Sequence, residues 1–177
     1  MEREEIIARV KKRARDNFKT GLNCAECVFE AVLTELFPEL PPETLSIVTG
    51  FGGGCGLYGD TCGALLGAMA AVGLAYGRKG KPEGDLAQAK AELYGKPGLY
   101  RVFNRLPNEL KRRYGSTLCR ELTQKWHKEW LCREHALQVR EIIGEMAELA
   151  AEMIVPIDLE RWGSQILGEN VEGIKEQ

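Results

Sequence analysis

Six cysteines stand in this 177-residue chain, at Cys24, Cys27, Cys55, Cys62, Cys119 and Cys132. Sulfur at this density serves metal or cluster ligation, thiol–disulfide exchange or structural pairing. Cys24 and Cys27 form a CxxC, and an i, i+3 pair on a helix shares one face. Cys55 and Cys62 bracket the end of a glycine-rich run. A lone CxxC is not a zinc ribbon, which pairs it with a second, and bacterial-ferredoxin spacing is absent. Val28 follows Cys27 where a covalent haem needs histidine, so no haem c is expected.

Position within elements says more than spacing. Asn23 followed by Glu26 has the arrangement of a capping box, which puts Cys24 in a first helical turn. Cys62 follows Asp60-Thr61, Cys119 lies three residues past Ser116, and Cys132 falls in the opening turns of a long helix. Unpaired N–H groups and the positive end of the helix dipole favour thiolate at such places. Helix starts scattered along a chain converge in a bundle. Cys24, Cys62, Cys119 and Cys132 are therefore expected to share one site, with Cys27 and Cys55 as additional or exchanged ligands.

Six of the positions 50–59 are glycine, and half of the 20 glycines lie between Gly50 and Gly77. Such a run turns backbone N–H groups toward sulfur, as nests do around iron–sulfur sites, and it places Gly54 beside the site. Its alternative is an ordinary flexible loop. Gly63 and Gly67, with Ala70, Ala71 and Leu74, form a small-residue face open to close approach by a helix or an inorganic cluster. His127 and His135 are the only histidines. His135 follows Cys132 by three residues and is read either as a ligand or as a partly buried structural residue. Trp126, Trp130 and Trp162 read as core or interface aromatics.

These residues must be carried by helices, because no stretch shows period-2 alternation. Ile6, Ile7, Val10, Ala14 and Phe18 predict a first helix ending near Gly21. A second runs from Asn23 to about Phe37, before Pro38, Pro41 and Pro42. A short third helix opens at Pro42 and ends before Gly50, and 50–59 is a loop. A fourth runs from Asp60 or Thr61 to about Arg78, and others cover Asp85 to Tyr94 and 99–113 on either side of Pro107. Gly115-Ser116 restarts a helix carrying Cys119. From about Lys128 a long helix runs toward Pro156. The expected class is all-α, a compact multi-helix bundle. Residues 1–155 form a single domain; 156–177 form an extension in which Leu159, Trp162, Ile166 and Leu167 predict a short docked helix.

Several functions are excluded. With 24 Lys+Arg against 26 Asp+Glu and a net charge of −2, interspersed rather than in blocks, no nucleic-acid partner is expected. The longest apolar run, Ala64 to Gly77, falls short of the roughly 20 residues of a membrane span, so no membrane insertion is expected. A start charged on both signs lacks the apolar stretch of a secretory signal, which predicts a cytoplasmic protein. There six cysteines serve metal or redox chemistry before disulfides. Gly54-Cys55-Gly56-Leu57-Tyr58-Gly59 matches GxGxxG, but no strand follows the next helix, so it is no dinucleotide fingerprint. A phosphate-binding P-loop fails because Asp60 stands where that motif needs lysine.

The chain resembles a bacterial family named for its cysteines, the C_GCAxxG_C_C family of redox-active proteins. The resemblance is carried by Asn23-Cys24-Ala25-Glu26, Gly50-Phe51-Gly52-Gly53-Gly54, Cys62-Gly63-Ala64-Leu65-Leu66-Gly67, Gly115 to Leu122 and Cys132, within residues 5–150. It implies that Cys24, Cys62, Cys119 and Cys132 are the signature cysteines, and Cys27 and Cys55 depart from that pattern. A similar domain in split-Soret cytochromes is linked to an iron–sulfur site. The expectation is an iron–sulfur protein for electron transfer or redox sensing, an accessory redox protein rather than a catalyst. Its electron partner is unnamed, and surface aromatics leave a homodimer open. The alternatives are a metal-free thiol–disulfide module and a structural zinc protein with four cysteine ligands.

Overall fold

The computed structural model describes residues 2–171. Eight α-helices form it: α1 (Arg3–Asn17), α2 (Cys24–Leu36), α3 (Gly63–Tyr76), α4 (Leu86–Tyr94), α5 (Leu99–Tyr114), α6 (Cys119–Leu122), α7 (Arg133–Ile154) and α8 (Leu159–Gly163). No strand occurs among the described residues, only an isolated antiparallel bridge between Thr61 and Leu118. The all-α expectation holds.

Helices α1, α2, α3 and α7 pack on one another as a four-helix core. Val10 and Ala14 of α1, Phe29 and Val32 of α2, Leu65 and Val72 of α3, and Ile143 and Met146 of α7 are fully or almost fully buried in it. Removing such side chains from water is the main drive for this packing. Helix α5 lies on α3, and α4 and α8 lie on α5. Pro107 sits inside α5 without ending it. The tail docks through Trp162, 4% exposed, whereas Ile166 points outward and the helix stops at Gly163.

Four elements differ from the sequence reading. Pro42–Phe51 is 3₁₀ helix rather than α. Helix α3 begins at Gly63 and α6 at Cys119, later than expected, because residues 59–62 and 117–120 are spent pairing with each other. The long helix begins at Arg133 and not near Lys128. The chain ahead of it folds back so that the Trp130 carbonyl meets the His135 ring.

The glycine-rich segment is ordered, not a flexible loop. Gly53, Gly54, Cys55, Gly56 and Leu57 all have φ between 63° and 69°, a left-handed turn. The N–H groups of Gly56 and Leu57 donate to the Gly52 carbonyl, and those of Gly59 and Asp60 donate to Gly53 and Gly54. Left-handed backbone costs an L-residue about 1–2 kcal/mol, and glycine escapes it. Glycine at three of the five positions is what makes the turn possible.

Candidate functional site

The four signature cysteines all stand at helix starts. Cys24 and Cys119 are the first residues of α2 and α6, and Cys62 and Cys132 are the N-caps of α3 and α7. Asn23 fixes the first of these. Its side-chain oxygen accepts the N–H groups of Ala25 and Glu26 at 3.0 and 3.1 Å, while Glu26 accepts the Asn23 N–H at 2.9 Å. The Asn23 amide also donates to the Thr49 carbonyl, and Thr49 donates to Glu26. Cys24 is thereby tied to the segment that leads into the left-handed turn.

The pairing of 59–62 with 117–120 brings two further sulfurs to the same place. Cys62 N–H donates to the Thr117 carbonyl at 2.8 Å, and Cys119 N–H donates to the Asp60 carbonyl at 2.7 Å. The Gly54 α-carbon lies against Cys119: a methyl group there would come within 2.6 Å of the Cys119 β-carbon and 2.7 Å of the Asp60 carbonyl. At Gly63 a methyl group would run into Cys24 Sγ, and at Gly67 into the Ala25 carbonyl. The small-residue face of α3 therefore admits α2 at Gly67 and a cysteine sulfur at Gly63.

Burial dominates the electrostatics. It pushes the Cys24 thiol above the ordinary range, opposed by N–H groups of Gly53, Ala25, Cys24 itself and Ala64, which point at its sulfur. Burial pushes Cys62 up to about 12, with the charge of Cys24 adding to it and the amides of Leu65 and Ala64 opposing it. Cys119 is pushed up to about 11 by burial, then by the charges of Cys24 and Cys55, with the Thr123 hydroxyl opposing. The charge of Cys24 is felt by Cys62, by Cys119 and by Cys27, and amides from two helix starts and the left-handed turn face this group. Such amide groups stabilise anionic sulfur.

The remaining cysteines divide. Cys55 is exposed at the tip of the left-handed turn, and its charge reaches Cys119. Cys27 is fully buried, and its thiol donates to the Leu22 carbonyl at 3.4 Å, the behaviour of a protonated core residue. Cys132 is half-buried and accepts the His135 N–H at 3.4 Å, and it is not among the charges felt by Cys24, Cys62 or Cys119. Among the described residues, no group of three or more His, Cys, Asp or Glu side chains is already drawn together to hold a metal ion. Cysteine sulfur is the donor type that suits a soft metal or an iron–sulfur cluster.

His135 is the feature the sequence left open. Its side chain is 7% exposed, between Trp126 and Trp130 at ring-centroid distances of 5.6 and 4.3 Å. His127 is exposed and lies 3.5 Å from the Thr123 hydroxyl. No helix among the described residues is long and apolar enough to cross a membrane.

A family model described as "Putative redox-active protein (C_GCAxxG_C_C)" matches residues 22–153, which hold all six cysteines. No curated protein and no solved structure matches the chain.

Proposed function

This chain belongs to the C_GCAxxG_C_C family of redox-active proteins, and from that premise we propose that it binds an iron–sulfur cluster through cysteine thiolates. Cys24, Cys62 and Cys119 hold three corners, and Cys132, the remaining signature cysteine, supplies the fourth. The observation that carries this reading is the convergence of three cysteine-bearing helix starts: Gly63 packs against Cys24 Sγ, Gly54 against Cys119, and the pairing of 59–62 with 117–120 joins Cys62 to Cys119. When bound, the cluster supplies one-electron transfer, for an electron partner or as a redox sensor.

The chain's own residues prepare for that charge. The two helix starts and the left-handed turn present dipoles to anionic sulfur, so little reorganisation is needed when the charge changes. Gly63 and Gly54 keep the space beside Cys24 and Cys119 free of side chains. The buried thiols are raised, so they stay protonated without a positive partner, and metal supplies that partner and takes them to thiolate. The same burial disfavours the metal-free thiol–disulfide alternative, which needs thiolate near neutral pH.

Serine replacements test the assignment. Anaerobic reconstitution with iron and sulfide should colour the wild type and Cys27→Ser alike. Cys24→Ser, Cys62→Ser and Cys119→Ser should each lose most of the bound iron. Full iron retention in any two of those three would overturn the ligand set.

A further inference from the structure

We propose that the cavity between α4, α5 and the C-terminal tail binds a monocarboxylate with an aliphatic chain. It encloses about 880 Å³, within the roughly 300–1,000 Å³ of small-molecule sites. No cysteine is among the described residues that line it, so the proposal stands apart from the cluster reading.

Three helices and the tail supply apolar walls: Met69 of α3, Leu93 of α4, Phe103 of α5, and Leu167 and Val171. A polar clamp holds the tail in place. The Asn104 side chain accepts the Gly168 N–H at 3.0 Å, and the Asn108 side chain accepts the Glu169 N–H at 2.7 Å. Both side-chain amides donate to the Glu169 carbonyl, at 3.1 and 3.2 Å, and Lys111 pairs with the Glu169 carboxylate. The tail backbone is thus satisfied on the flank of α5, and Leu167 and Val171 stand as wall instead of packing inward. Val171 stays 72% exposed. Apolar surface held open in this way is what an alkyl chain would cover, taking both surfaces out of water.

The mouth selects the head group. Among the described residues that line the cavity, Lys96 and Arg101 are cationic and none is acidic. Arg101 belongs to the wall, where it donates to the Gly95 and Gln165 carbonyls. The Lys96 ammonium is exposed, and it has no hydrogen-bond or ion-pair partner among the described residues. Tyr94 and Tyr100, 56% and 46% exposed, pack edge to face in the same lining. Neither hydroxyl has a hydrogen-bond partner among the described residues. An ammonium and two phenols are donors, and a carboxylate is an acceptor of opposite charge. A cationic head would be repelled there.

Calorimetric titration of the full chain with decanoate, decanol and decyltrimethylammonium tests this with one chain length and three heads. Decanoate should bind saturably and about tenfold more tightly than decanol, the worth of one charged hydrogen bond. Decyltrimethylammonium should not bind. Hexanoate, four methylenes shorter, should bind about a hundredfold more weakly than decanoate. Lys96→Gln should erase the margin of decanoate over decanol, and Met69→Trp, which fills the cavity, should abolish binding of both. If Met69→Trp fails to fold, Leu167→Trp on the tail takes its place. Equal affinity for the three heads, no saturable binding of decanoate, or decanoate binding unchanged in either variant overturns the proposal. Binding that appears only after residues 172–177 are removed assigns the cavity to that segment and overturns it as well.

Discussion

The sulfur of Cys24 rests against the bare α-carbon of Gly63, so that a methyl group on Gly63 would occupy the space the sulfur fills. The contact joins the start of α2 to the start of α3 at the point where amides from both helices face the sulfur. A functional cysteine and a packing glycine depend on one close approach.

Gly63→Ala should therefore damage the site before it damages the fold. The same methyl group would meet the Phe51 carbonyl at 2.7 Å. Overpacking of this kind costs about 1–3 kcal/mol. Gly73→Ala, on the same helix with nothing within 4 Å, is the control. Thermal unfolding with iron analysis should show lower melting temperature and iron retention in Gly63→Ala only.

Cys55→Gly should stabilise the metal-free protein. Cys55 adopts φ 63° in the left-handed turn, where glycine removes a penalty of about 1–2 kcal/mol. Urea unfolding checks the gain. The iron content should not change, because the proposed ligands lie elsewhere.

Glu109 should set part of the acid limit. Its hydrogen bonds to Arg112, and then to Arg113, hold its carboxyl down at about 2 despite partial burial. A carboxyl depressed in the folded state stabilises it above the ordinary carboxylate range and loses that contribution as pH falls toward 2. Glu109→Gln should therefore lower stability at neutral pH and flatten its decline between about 4.5 and 2, the interval over which this group titrates. Chemical unfolding at a series of pH values reads both effects.

Tyr76→Phe should loosen the tail. The Tyr76 hydroxyl donates to the Met153 carbonyl and accepts the Asp158 N–H at 2.9 Å, pinning the chain between α7 and α8. Removing it strands a buried carbonyl, a loss of about 1–3 kcal/mol. Trp162 fluorescence should report earlier release of α8 in denaturant than the global transition.

The helices and the placement of signature cysteines at helix starts were legible because both follow from local rules: apolar period, proline and the Asn23 cap. What lay beyond local rules was less so. Glycine spacing in 50–59 signals freedom, but the left-handed turn it adopts depends on Asp60 and Cys119, which crowd Gly54. Helix α7 starts late because the Trp130 carbonyl folds back onto His135, a contact without a sequence signature. Cys27, read from the sequence as an additional or exchanged ligand, shows in the structure a burial that its spacing did not announce, with its thiol on the Leu22 carbonyl.

Iron and acid-labile sulfide, measured on protein purified without oxygen, test the central claim most directly. The account predicts a brown protein with iron and sulfide in matching amounts. Colourless protein lacking both, with reactive thiols or stoichiometric zinc in their place, would contradict it.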